Sequence, residues 1–127
     1  MNPNVPPVLF ELAGLLVRSA APGVPEAERA SDLGLSAALL MVAAEMWDRQ
    51  AHILVQEYRA VRTLLGEAGV DDDLRLSALQ AENNRLRAAL IEAHAAAEAA
   101  DDAARQDAFW AELVAATERR RLSMAPV

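Results

Sequence analysis

The chain has 127 residues, the length of one ordinary domain. Its 12 basic residues are all arginine and face 19 acidic ones, for a net charge of −7. That balance argues against nucleic acid, which needs clustered cations on its phosphates. The absence of cysteine excludes a disulfide scaffold, a thiolate zinc site, an iron–sulfur cluster and a cysteine nucleophile.

Hydrophobic residues make up 54% of the chain but aromatics only 4%. About a quarter of the residues are alanine, far above average usage. Alanine, leucine, arginine and glutamate are strong helix formers, and no β-branched alternation marks a strand. An all-α fold in a single helical domain, 1–127, is therefore expected.

The N-terminus lacks the basic start of a secretory signal, and Glu11 interrupts the apolar stretch from Val8 to Val17. The longest uncharged run, Leu33 to Ala44, is shorter than the ~20 residues of a membrane span. These features predict a cytoplasmic protein without a membrane partner.

The first helix is predicted over 6–20. Pro6 and Pro7 suit a first turn, where a missing N–H costs nothing. Leu9, Leu12, Ala13, Leu16 and Ala20 form an apolar stripe. The sequence Ala21-Pro22-Gly23-Val24-Pro25 ends it.

The second helix is predicted over 25–65, with Glu26 and Glu28 complementing its dipole. Leu40, Ala44, Trp47, Ala51, Leu54, Tyr58, Val61 and Leu65 recur four and three residues apart, as in a coiled-coil seam. Asp32 is a candidate break, and Gly66 or Gly69 a candidate left-handed cap.

The third helix is predicted over 73–121, with Asp71, Asp72 and Asp73 at its start and a capping box at Ser77 and Gln80 as the other option. Its seam is Leu76, Leu79, Asn83, Leu86, Leu90, Ala93, Ala97 and Ala100, and Asp101-Asp102 marks a candidate break. The last residues, Ser123 to Val127, read as a frayed end.

Two helices of such length are rods of ~60 Å, whereas a compact domain of this size has a radius of gyration near ~14 Å. The expected architecture is a short N-terminal helix plus two long antiparallel helices, completed as a dimeric helical bundle. The alternative breaks the long tracts at Asp32 and Asp101 and folds one chain into a four- or five-helix bundle. The expected dimer or partner interface is Leu40, Ala44, Trp47, Ala51, Leu54, Leu86 and Leu90. Glutamate at position 40 or 54 should then abolish the dimer or unfold it.

Chemistry finds little foothold. Glu45, Asp48 and His52 share one helix, and Glu92, His94 and Glu98 another, but no Glu-x-x-His pair of a di-iron bundle is present. No Gly-x-Ser-x-Gly elbow or phosphate-cradling loop exists. Asn83 resembles the buried asparagine that fixes register in zippers, flanked by Glu82 and Arg87; the plainer reading is a polar residue near a helix start. Arg119, Arg120 and Arg121 read as a helix end.

The function expected from these features is that of a non-catalytic, acidic interaction protein without a cofactor. It would act as a homodimer scaffold or as the small subunit of a larger protein. The alternative is a bundle holding an apolar molecule, or less readily a metal, among Met41, Met46, Trp47 and Trp110.

Overall fold

A computed structural model describes residues 4–70 and 72–123. Asp71 of the acidic triplet and the rest of the expected frayed end, 124–127, lie outside the described residues. Among those described there is no strand, and the helices fall into four runs: α1 (Val5–Gly23), α2 (Glu26–Leu65), α3 (Leu76–Ala99) and α4 (Ala103–Arg119). The fold is all-α.

Proline opens α1 as expected, within its first two positions. The run is α-helical over Val5–Leu15, widens over Leu16–Ala20 and closes in a 3-10 turn, Ala21–Gly23. Pro22 contributes no N–H at this end. Val24 then turns extended, and the Arg29 guanidinium covers its carbonyl oxygen at 2.8 Å. In α2 the chain does not break at Asp32. It takes a wide turn over Arg29–Leu33 and continues as regular helix over Gly34–Leu65.

Gly66 ends α2 in the left-handed region at φ 70°. The Glu67 N–H donates to the Arg62 carbonyl at 2.9 Å, closing the wide ring of a Schellman cap. Replacing Gly66 by alanine should cost about 1 kcal/mol in chemical denaturation, because a Cβ is strained at this φ. An unchanged midpoint would contradict the cap.

The single third helix is corrected to two. Asp101 takes φ 55°, which aspartate tolerates better than most residues. The Asp102 carboxylate then accepts the Arg105 N–H at 3.1 Å and starts α4. α4 folds back onto α3: His94 lies 5.5 Å from Phe109, and Gln106 donates to the Ala97 carbonyl. α3 starts at Leu76, three residues after the expected start at 73 and one before the other option, Ser77, with no side-chain cap. Asp73 instead bonds the Arg75 N–H and guanidinium, which hold its carboxyl down at about 2.

Contacts divide the chain into two compact units: residues 4–49 with 122–123, and residues 50–121. The buried residues of the first are Ala13, Ala21, Ala37 and Ala44. Small side chains allow close helix approach but bury little apolar area. The second unit has a conventional core of Leu54, Tyr58, Val61, Leu79, Leu86, Leu90, Ala97 and Phe109, flanked by Val55, Leu64, Leu65 and Ala93.

Candidate functional site

The first unit is inverted relative to a water-soluble helix pair. Its interior is alanine, while Val8, Phe10, Leu12, Leu15, Val17, Leu35, Leu39 and Trp47 are all 45–65% exposed. Leu9 and Leu16 are half-buried, and Leu12, which the apolar stripe placed inward, faces out. An open apolar groove of about 470 Å³ runs along Leu12, Leu15, Leu16, Ser19, Ala20 and Leu40. Eight large side chains at about half exposure amount to on the order of 700 Å² of apolar surface, close to one partner's share of a standard interface. Isolated exposed leucines are ordinary; here Val8, Leu12 and Leu15 share one face of α1 and Leu35 and Leu39 one face of α2, and exposure on this scale marks an interaction surface.

α1 and α2 are also long and apolar enough to cross a membrane by length and composition, with little of either window buried. Yet Glu11 and Arg18 form an exposed ion pair along α1 at 2.8 Å. In α2 the run between Asp32 and Glu45 reaches only ~18 Å as a helix, against a ~30 Å hydrocarbon core.

Glu45 sits at the polar edge of this unit. The Ser123 backbone N–H donates to its carboxylate at 3.0 Å and the Ser123 hydroxyl at 2.8 Å. These bonds, assisted by Arg49, hold the carboxyl below its usual range against a smaller opposing effect of desolvation.

The second unit holds a buried charged network. Glu57 and Asn83 are each 1% exposed. Arg120 grips Glu57 through both carboxylate oxygens at 2.5 Å, and the Asn83 amide donates to Oε2 at 3.2 Å. Burial pushes the Glu57 carboxyl up; Arg120, Asn83 and Arg87 together outweigh it and hold the group below its ordinary value. Glu112, ion-paired to Arg119, goes the other way. Burial pushes it up, and the nearby Glu57 charge adds to that despite Arg119 and Arg87. At the surface of this unit Glu82 takes bonds from Arg85 and Arg62, which hold it down at about 2.

The expected interface residues separate. Leu54, Leu86 and Leu90 lie in the core of the second unit, covered by the chain's own helices. Glutamate at position 54 would therefore unfold that core rather than split a dimer. Ala44 is buried, Leu40 half-buried, and Trp47 and Ala51 are exposed. Asn83 is buried as a seam residue should be, but its partner is Glu57 of the same chain. Glu82 bonds Arg62 and Arg85, while Arg87 stands 3.7 Å from Glu57.

Of the four residues expected around an apolar ligand, Met41 and Met46 are half-buried in the first unit and Trp47 is exposed there. Trp110 is exposed in the second unit, edge-on to His94 at 5.5 Å. Among the described residues no group of three His, Asp or Glu side chains is placed to hold a metal.

Glu57 and Arg120 were missed by the sequence reading. The signal for Glu57 was its spacing: Ile53, Glu57 and Val61 fall four apart on one stripe, two of them apolar. No local pattern separates Arg120 from its neighbouring arginines.

Comparison of the chain with protein-family models, with curated proteins and with solved structures finds no match.

Proposed function

We propose that this is a non-catalytic helical interaction protein of the cytoplasm that works as a homodimer, the surface of the first unit being covered by a second copy. The observation that carries the reading is the exposure of eight large apolar side chains around an alanine interior. Such a surface is costly in water, at roughly 25 cal/mol per Å². A second copy offers the same groove and the same leucines, so one two-fold contact covers both. It also leaves Glu11 and Arg18 at a wet rim, where lipid would bury them. In this reading α3 runs antiparallel to the second half of α2, and the Glu57–Asn83, Arg62–Glu82 and Glu67–Arg85 pairs tie α3 to that half of α2 and to the turn that follows it. The paired copies then form a helical bundle, serving as a scaffold or as the small subunit of a larger protein.

The test is the double variant Leu35→Glu/Leu39→Glu. Both positions are about 60% exposed, so helicity by circular dichroism should be unchanged. Light scattering should report two copies for the wild type and one for the variant. Equal masses would overturn the reading. Flotation of the wild type, but not the variant, with phosphatidylcholine vesicles would transfer the surface to lipid.

A further inference from the structure

The first unit holds a second recess, apart from the groove of the proposed dimer. A cavity of about 410 Å³ opens between the first turns of α1 and the middle of α2. That volume falls in the range of small-molecule sites, roughly 300–1,000 Å³. None of the groove residues lines it, and of the eight exposed apolar side chains only Phe10 does. Phe10 stands on a different face of α1 from Val8, Leu12 and Leu15, so an occupant here leaves that face open to a second copy.

One wall is apolar and stiff. Pro6, Pro7 and Phe10 come from α1 and Ala44 from α2, and the two pyrrolidine rings fix their own backbone. Phe10 is 46% exposed, which leaves part of its ring to an occupant.

The charges that line the cavity are Glu45, Asp48 and Arg49, two carboxylates against one guanidinium. They are unequally satisfied. Arg49 is paired with Glu45, which also takes the Ser123 N–H and hydroxyl. Asp48 is exposed and makes no hydrogen bond or ion pair among the described residues. The excess on the lining is therefore one negative charge, in a chain whose net charge is −7. The N-terminal end of the α1 dipole acts in the opposite sense. Pro6 and Pro7, however, take two N–H donors away from that helix start, so it offers an anion less than an ordinary one does. An anion would meet the Asp48 charge, and a neutral molecule would leave it unused. An ammonium gains a charge-assisted bond to the carboxylate and the attraction of the nearby aromatic ring.

We infer that this cavity binds a small organic ammonium, its apolar body against Pro6, Pro7 and Phe10 and its N–H groups on the Asp48 carboxylate. The pairing of an uncommitted acid with a stiff apolar wall and a ring carries the inference.

The probe is 2-phenylethylamine at neutral pH, titrated into the full chain and followed by amide chemical shifts, with 2-phenylethanol and phenylacetate as the neutral and anionic comparators. Saturable shifts centred on Phe10, Ala44 and Asp48 are expected with the amine. Replacing the amine by 2-phenylethanol, or Asp48 by asparagine, should each weaken binding by about tenfold or more. Phe10→Ala should weaken it as well, whereas Glu28→Gln, an exposed acid of the same unit outside the cavity, should not. Because Asp48 is exposed and unbonded, Asp48→Asn should leave the far-ultraviolet spectrum unchanged. No saturation by about 10 mM amine, equal affinities of the wild type and Asp48→Asn, an equal loss in Glu28→Gln, or tighter binding of phenylacetate would each overturn the inference.

Discussion

Phe109→Ala is expected to destabilise the second unit by about 4 kcal/mol, within the range seen for buried phenylalanine truncations. Phe109 is fully buried in the core formed by α2, α3 and α4. One side of its ring meets the His94 imidazole, and the Arg105 guanidinium lies 5.5 Å from its centroid. Truncation would remove a whole aromatic ring from that core, second in size there only to Tyr58, and leave a void that neither a charged arginine nor an imidazole fills well. Urea denaturation followed by circular dichroism measures the loss. Val114→Ala in α4 is the control, since Val114 is 63% exposed and lies outside the proposed dimer surface; it should move stability by no more than about 0.5 kcal/mol. Equal effects at the two positions would mean that the core is wrongly placed.

Arg120→Met is expected to cost about 3 kcal/mol at neutral pH, toward the lower end for breaking a buried ion pair, because Arg87 remains nearby and Arg120 is itself partly exposed. The cost is the carboxylate left behind. With Arg120 in place, the Glu57 carboxyl is held below its ordinary value. Its contribution is therefore present above the unfolded value of ~4.3 and is lost as pH falls through the folded value. Without Arg120, burial dominates and Glu57 titrates above its unfolded value, so the variant gains stability as pH falls toward ~4.3. The gap between the two proteins should thus be widest near neutrality and narrow in acid. Glu112, whose carboxyl burial already raises, contributes the opposite slope in both proteins, and because the Glu57 charge adds to that rise its share follows the state of Glu57. Denaturation at several pH values checks this; a gap independent of pH would show that Arg120 acts by packing alone.

Local chemistry made much of the fold legible. Gly66, Asp102 and the two prolines that open α1, Pro6 and Pro7, act as their residue types dictate. The seam Leu54, Tyr58, Val61 and Leu79, Leu86, Leu90 turns inward as its spacing implies. Two things were hidden. Counting heptads carried the seam straight from Ala44 through Trp47 and Ala51 to Leu54, yet Trp47 and Ala51 lie outside both buried stripes of α2. A regular period cannot report that one helix serves two units with different inward positions. In α1 the hydropathy of Leu12 drew it inward, whereas helix contact follows the small side chains of Ala13 and Ala21. The Glu57–Arg120 pair joins residues 63 apart in sequence, a relation that no window of local pattern contains.

The central claim is that the first unit's apolar surface is covered by another copy of the chain. Sedimentation equilibrium of the untagged protein at micromolar concentration, without detergent, tests it most directly. The account predicts a mass of twice 13.7 kDa. A single species at 13.7 kDa, with the leucines of α1 and α2 left in water, would contradict it.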